Sequence, residues 1–250
     1  MDKCLVTKLA NSVSGNFPKL GELIINISTE GVTTRNDNKT FIGFSSGSEA
    51  TAVLTGGLTF SDGSTDVPTS SATAKYFTSG VTGNMLISNK YELTDVRFAP
   101  GRYCCNFSTP INLSTFKSSN KLASISGTLG KFVGDIANLS GKNLNYVRLE
   151  DNPDLYGDIV NLAQSFYWAA HNRLSIYSFN LSNNPQITGS IEGLIQAVRA
   201  LGATESDSEK SLNIVGTAVT FNGNPIASAT NAKVSWTATT ITYDGVTINA

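Results

Sequence analysis

One six-residue phrase occurs three times in the second half of the chain and constrains the fold more than any other feature. It reads GDIANL at residues 134–139, GDIVNL at 157–162 and GSIEGL at 189–194. Recurrence at this spacing is typical of architectures in which one supersecondary unit stacks on the next. The phrase therefore predicts a solenoid of stacked coils for this half of the chain.

The residues before the last two copies follow a second pattern. Residues 144–152 and 176–184 both read apolar-x-x-apolar-x-apolar-x-x-Asn, with Pro next. The alternating part predicts a short strand whose apolar side chains point into the solenoid. Asn152 and Asn184 are predicted at the turn, where an amide can bond to backbone groups of adjacent coils. This is the pattern of a leucine-rich repeat, and the turn that follows needs glycine, predicted at Gly134, Gly157 and Gly189.

Weaker copies of the strand pattern flank these two repeats. They lie at residues 93–98, 123–128 and 219–224, and the last keeps the repeat asparagine at Asn224. The pattern thus predicts a short, irregular solenoid of unequal coils. In its two longest coils, helices are predicted behind Asp158 and Ser190 as N-caps, and Gly202 is predicted to end the second helix.

Both flanking regions indicate β structure. Short β-type runs between Gly, Ser and Asp clusters predict an all-β domain over residues 1–90, before the solenoid at 91–226. Residues 227–250 are predicted as a cap, because residues 234–248 alternate and contain Asp244-Gly245, which predicts a β-hairpin that covers the open end of the solenoid. The predicted fold is mainly β with short helices: an N-terminal β domain, a leucine-rich-repeat-like solenoid and a hairpin cap.

The composition describes a neutral, hydrogen-bonding surface. Charged residues make up 15% of the chain and the net charge is -1, whereas an average soluble domain has roughly 25% charged residues. We therefore expect no nucleic acid partner, and the short apolar runs predict no membrane insertion. Such a surface resembles that of a fibre or adhesin more than that of a cytosolic enzyme.

The first residues and the cysteines indicate where the chain folds. Residues 1–15 have an acid at Asp2 and no apolar run of the length a secretory signal needs. Cys4 and the adjacent pair Cys104 and Cys105 are expected to be reduced thiols. The surface is of an extracellular type, but the chain is expected to fold in the cytoplasm. Both properties suit a virion protein, which is assembled in the host cytoplasm.

Several phrases together resemble one family. The opening KCLVTKL with LGEL, the KYELT phrase at 90–94 and the GDIxxL coils are similar to leucine-rich-repeat proteins of Bacteroidetes and their bacteriophages. Within these, the chain resembles the fibre or virion proteins of crAss-like phages. The resemblance covers residues 1–30 and 90–226, and it implies a structural role on a head or tail fibre.

Catalytic chemistry has little support in the sequence. His171 is the only histidine, and its place near a predicted helix end is explained by the helix dipole. Glu150, Asp151 and Asp154 could suggest a calcium site or a polysaccharide-cleaving pair, but ordinary turn chemistry explains them better. No zinc spacing, phosphate loop or dinucleotide fingerprint occurs. We therefore expect no catalytic residues, no metal and no cofactor.

Binding is the better-supported activity, because a solenoid presents the outward residues of its strands as one surface. The candidate binding residues on this predicted surface are Arg97, Tyr146, Arg148, Glu150, Asn180 and Asn222. Around them, small hydroxyl and amide groups dominate. This mixture suits a sugar or a neighbouring protein, and a solvated surface without a partner is the alternative.

The leading interpretation is a non-enzymatic structural protein of a phage particle. Its expected partners are other virion proteins and further copies of itself. A glycan or protein of the host surface is a further expected partner. Apolar residues within 1–30 predict an N-terminal anchor that packs on its own β domain or forms an oligomer, a homotrimer by analogy with phage fibres. The alternative is a bacterial leucine-rich-repeat surface adhesin. A depolymerase is a third interpretation, which rests only on the acidic cluster.

Overall fold

A computed structural model describes residues 21–29, 39–44, 50–67, 75–78, 80–98, 106–107, 110–172 and 178–250. The strands are β1 Leu23–Ser28, β2 Lys39–Phe44, β3 Ala52–Thr55, β4 Lys75–Tyr76, β5 Thr82–Ile87, β6 Leu93–Arg97, β7 Asn106–Phe107, β8 Ile111–Asn112, β9 Ser124–Ser126, β10 Phe132–Asp135, β11 Tyr146–Arg148, β12 Leu155–Asp158, β13 Ser178–Asn180, β14 Gln186–Thr188, β15 Lys210–Ser211, β16 Thr220–Phe221, β17 Asn224–Pro225, β18 Lys233–Trp236, β19 Thr240–Tyr243 and β20 Val246–Asn249. The helices are α1 Ala163–His171 and α2 Ile191–Ala200, with 3₁₀ helices at Lys90–Glu92, Leu113–Phe116, Ile136–Leu139 and Ile159–Leu162.

Two sheets built mainly of parallel strands form the middle of the molecule. In the first, here sheet I, the order is β13-β11-β9-β6-β2-β4, and β6, β9, β11 and β13 run parallel. In the second, here sheet II, β14-β12-β10-β8 run parallel. The chain passes from a strand of sheet I to a strand of sheet II, then through a short helix, and repeats this coil. The predicted β-rich architecture with stacked parallel strands and short helices is confirmed.

The core consists of columns of apolar side chains, one from each coil. In sheet I, Val96, Ile125, Val147 and Phe179 are paired in register and fully buried. Further columns follow the helix caps: one contains Leu113, Ile136, Ile159 and Ile191, and the next contains Phe116, Leu139, Leu162 and Leu194. Burying one such side chain stabilises the folded state by roughly 1.5–3 kcal/mol. A single coil cannot bury these faces alone, which is why the coils stack.

The six residues of the repeated phrase include the end of a strand, the cap of a helix and two side chains of the core. In GDIVNL, the Asp158 carboxylate accepts from the backbone N–H of Val160 and so caps the 3₁₀ helix, while Asn161 donates its amide back to the Asp158 carbonyl. Asp135 and Asn138 repeat both bonds in GDIANL. The isoleucine and leucine enter the core columns. In GSIEGL, the Ser190 hydroxyl instead caps α2 through the N–H of Gly193.

The glycine of the phrase is required by conformation and by space. Gly157 has a φ of +117°, and a Cβ there would lie 2.3 Å from the Asp135 carboxylate oxygen of the preceding coil. Gly189 has the same relation to Asp158, and Gly134 to Asn112. The helix cap of one coil therefore occupies the space that a side chain on the next coil would need.

The repeat asparagines connect neighbouring coils, as predicted for the turn. Asn152 is fully buried; its side-chain oxygen accepts from the Phe132 N–H at 2.8 Å, and its amide donates to the Gly127 and Leu149 carbonyls. The Asn184 oxygen accepts from the Asn152 N–H at 2.8 Å. These bonds satisfy turn backbone that the stacking removes from water.

The fifth coil differs from its predicted register. Thr220 forms a parallel bridge with Ser190, beside sheet II, while Asn213 bridges Asn180 beside sheet I. Residues 212–216, which the pattern did not identify, therefore continue sheet I. Buried Leu212 and Ile214 fix this register, because they extend the apolar core and leave Asn213 between them pointing outward.

Residues 219–224 instead enter a two-stranded hairpin of β16 and β17. The predicted repeat asparagine Asn224 is exposed, and its amide bonds only locally to the Asn222 carbonyl. It therefore does not repeat the buried role of Asn152.

The N-terminal region contains an antiparallel sheet of order β3-β5-β1-β7. Within the apolar stretch predicted as an anchor, Ile25 and Ile27 are buried in this region's own core, with Met85. Residues 1–20 lie outside the described part of the chain. Strand β2 pairs antiparallel with β6 and so joins this region to sheet I.

The C-terminal region is an antiparallel sheet of order β15-β18-β19-β20. The Asp244-Gly245 turn joins β19 to β20, and both residues have positive φ, as a type I′ turn requires. The predicted single hairpin is instead a three-stranded meander, because a second turn separates β18 from β19. In that turn the Thr237 hydroxyl accepts from the N–H groups of Thr239 and Thr240.

One charged side chain attaches the C-terminal sheet to α2, and a second holds the segment that leads into β18. The Arg199 guanidinium, in the last turn of α2, donates to the carbonyls of Thr237, Thr240 and Ala250. The Asp244 carboxylate accepts from three successive backbone N–H groups, at residues 230–232. Those N–H groups hold the pKa of Asp244 below its usual value.

We predict that the buried asparagines are essential to stability. Asn152→Ala and Asn184→Ala should each lower the free energy of unfolding by about 1–3 kcal/mol, because buried turn groups lose their partners. Asn224→Ala is the matched control, since that side chain is exposed, and should unfold like wild type. Urea denaturation of the full chain measures all three. Wild-type midpoints for Asn152→Ala and Asn184→Ala would contradict the inter-coil role.

We also predict that the phrase glycine cannot be replaced. Gly157 and Gly141 both have positive φ, but a Cβ at Gly141 would meet nothing within 4 Å. Gly141→Ala should therefore cost only the backbone strain, about 1–2 kcal/mol. Gly157→Ala should cost clearly more in the same thermal melts, because it also displaces the Asp135 cap. Equal losses for the two variants would show that the close approach of the coils is unimportant.

Candidate functional site

The outward side chains of sheet I form the candidate site, here called the outer face. Arg97, Ser126, Arg148 and Asn180 make one row across four paired strands, and Asp95, Ser124, Tyr146 and Ser178 make the next. Five of the six predicted binding residues therefore lie together on this surface: Arg97, Tyr146, Arg148, Glu150 and Asn180. Asn222 lies in the β16–β17 turn instead, and the sequence pattern missed Asn213, which continues the surface.

Arg97 is held by three neighbours. Its guanidinium donates to the Asp95 carboxylate at 2.9 Å and to the Ser124 hydroxyl at 2.7 Å, and it lies over the Tyr146 ring at 4.8 Å from the centroid. A cation in this position is attracted by the quadrupole of the ring. These contacts cover the serine beneath, so Ser124 is only 1% exposed although it points outward.

Arg148 forms the second half of this arrangement. Its guanidinium donates to the Glu150 carboxylate at 2.7 Å. Burial alone lowers the pKa of Arg148, but the hydrogen bond with Tyr146 and the charge of Glu150 raise it more. The second carboxylate oxygen of Glu150 is buried without a hydrogen-bond donor within the described residues. This buried, charged acceptor depends on Arg148 for compensation.

At one end of the outer face, on β13 and the fifth coil, the outward side chains of Ser178, Asn180 and Asn213 are uncharged. The Asn180 side-chain oxygen accepts from the N–H and the hydroxyl of Ser182, and Asn213 accepts from the N–H of Val215. The face thus combines an Arg–Tyr–Arg centre, with its charges paired internally, and a flank of amides and hydroxyls. A surface ordered in this way loses little side-chain entropy on binding.

The acidic residues considered for catalysis have separate structural roles. Glu150 pairs with Arg148, while Asp151 has a φ of +59° and accepts from the Asn183 amide at 2.8 Å. Asp154 lies exposed in the same turn, and its backbone carbonyl accepts from the Gly134 N–H. In the described ranges, no group of three or more His, Cys, Asp or Glu side chains could hold a metal ion.

His171, predicted at a helix end, is the last residue of α1 and stacks on Tyr167 at 5.5 Å between ring centroids. Cys4, Cys104 and Cys105 lie outside the described residues. None of the described helices is both long and apolar enough to cross a bilayer.

Comparison with known proteins gives no relative: the chain matches no protein-family model, no curated protein and no solved structure.

We predict that Arg148 contributes to the stability of the fold mainly because it compensates the buried carboxylate of Glu150. Arg148→Met should lower stability by about 1–3 kcal/mol, because a carboxylate that is mostly buried loses its donor. Adding Glu150→Gln to that variant should recover most of the loss, since the side chain is then neutral. Urea unfolding of the single and double variants measures both effects. A double variant less stable than Arg148→Met would contradict this account of the pair.

Proposed function

We propose that this chain is a leucine-rich-repeat-like solenoid that acts as a non-enzymatic structural subunit of a phage particle, in or beside a head or tail fibre. In that role the outer face contacts other particle proteins or the host surface. The observation that carries this binding role is the ordered centre of that face, formed by Arg97, Tyr146 and Arg148.

The chemistry of this centre favours recognition. Tyrosine and arginine are among the residues enriched at binding hot spots, which lie in well-packed, desolvated parts of an interface. Here the two arginines are ordered by Asp95, Glu150 and the tyrosine ring before any partner arrives. Their charges are balanced, which favours a partner recognised by shape and hydrogen bonds over one attracted by a strong field.

The particle assignment rests on composition and on family resemblance. The neutral surface, rich in Ser, Thr, Asn and Gly, suits a protein that works outside a cell. The resemblance to virion proteins of crAss-like phages covers the repeats and residues 1–30. We propose in addition that residues 1–30 anchor the chain, through a homotrimer or on another particle protein.

Antibody labelling of purified phage particles, viewed by electron microscopy, tests the particle assignment. We expect label at the head fibres or the tail of the phage that encodes the chain. Particles without the chain, together with label on the surface of bacterial cells, would contradict the proposal and support a bacterial adhesin.

Two tyrosine variants test the role of the outer face in the same particles. Tyr146→Ala removes the ring under Arg97 and should reduce incorporation or host adsorption by roughly 30-fold if the tyrosine is a hot spot. Tyr156→Ala is the control, because Tyr156 is 48% exposed on β12 of the other sheet. The proposal requires that this variant behave as wild type. If both variants are incorporated and adsorb equally well, the outer face does not contribute to either process.

A further inference from the structure

The last strand, β20, is the outer strand of the C-terminal sheet. It pairs with β19, and within the described chain no strand lies along its other side. Val246 at its start is 57% exposed, and Ile248 packs only partly against the core. An outer strand of this kind presents unpaired backbone groups that can bind another strand.

The turn before β20 determines which backbone groups face outward. A two-residue turn at Asp244-Gly245 makes Tyr243 and Val246 a hydrogen-bonded pair. Because hydrogen-bonded and non-hydrogen-bonded pairs alternate in antiparallel sheets, Thr242 and Thr247 form a non-hydrogen-bonded pair. The N–H and C=O of Thr247 therefore point to the open side of β20.

This edge lacks three common barriers to pairing: a lysine, a proline and a bulge. Residues 246–249 read VTIN, with no lysine and no proline. Their register with β19 continues through all four pairs without a bulge. Soluble proteins commonly block an outer strand with such features, so their lack in β20 indicates a strand that is available for pairing.

The residues of β20 are complementary to β20 of a second copy. In an antiparallel arrangement with Thr247 opposite the partner's Thr247, Val246 lies opposite the partner's Ile248. One face of the joined sheet then carries a continuous apolar row, from Ile241 and Ile248 to the partner's Val246 and Tyr243. The other face carries the threonines, which extend the observed Thr242–Thr247 hydroxyl pair at 2.8 Å.

We propose that two copies of this chain join edge to edge through β20, with a two-fold axis at Thr247. The open N–H of each Thr247 then donates to the open C=O of the other copy's Thr247. The strand is uncharged and matches itself in register, which favours a second copy over a different protein. This contact goes beyond the proposed particle role and is separate from the N-terminal anchor.

The contact is small, since each copy contributes one short strand. Interfaces of this size associate weakly in free solution. Copies held close together by another attachment would pair far more readily, because their effective concentration is high. The edge contact is therefore suited to linking neighbouring subunits of a larger assembly.

A charge-swap experiment tests the two-fold pairing directly. Thr247 is exposed, so Thr247→Lys and Thr247→Glu should both fold, as circular dichroism can verify. Each variant alone places like charges opposite each other and should sediment with about half the mass of the wild type at high micromolar concentration. An equimolar mixture should recover the wild-type mass. A wild type with the same mass as the single variants would overturn the proposal.

A proline variant tests the backbone contact. Thr247→Pro removes only an outward N–H, which an outer strand tolerates, and should abolish the dimer while the chain stays folded. Thr247→Val keeps the N–H and should still dimerise. If Thr247→Pro unfolds, the N–H points inward and the proposed edge is wrong. If Thr247→Pro folds and dimerises as the wild type does, another surface forms the dimer.

Discussion

The stacked coils depend on how buried turn backbone is hydrogen-bonded. Strands of two to five residues leave much of each coil in turns, and stacking removes those turns from water. Asn152 supplies both an acceptor for the Phe132 N–H and a donor for the Gly127 carbonyl, and Asn184 supplies the acceptor for the Asn152 N–H. An unpaired buried group costs as much as several favourable contacts contribute. The apolar columns can therefore stack only because these amides lie between the coils.

The same close stacking explains the repeated phrase and the order of the outer face. A cap such as Asp135 lies against Gly157 of the next coil, so the sheet II strands approach closely and hold the sheet I strands in exact register. That register places Arg97 within reach of Tyr146, although one strand lies between them. A binding centre built on this scaffold inherits its rigidity, which is what the proposed role in a particle requires.

Local chemistry made part of this structure predictable. The phrase predicted its own turns and the capping residues Asp158 and Ser190, because glycine and cap preferences act within a few residues. Asp244-Gly245 likewise predicted its turn. The register of the fifth coil was not predictable, since Thr217 stands at the position that the asparagine occupies in the two best repeats and burial of Leu212 and Ile214 decides the pairing.

Long-range contacts also escaped the sequence pattern. The joining of β2 to sheet I and the position of Arg97 over Tyr146 depend on residues far apart in the chain.

Hydrogen exchange at individual amides is the most direct test of whether the buried asparagines hold the coils together. The Phe132 and Asn152 N–H groups, whose acceptors are asparagine side chains, should open with the same free energy as the core amide of Leu149. If they exchange as fast as the exposed turn amide of Thr239, the asparagines do not hold the coils together.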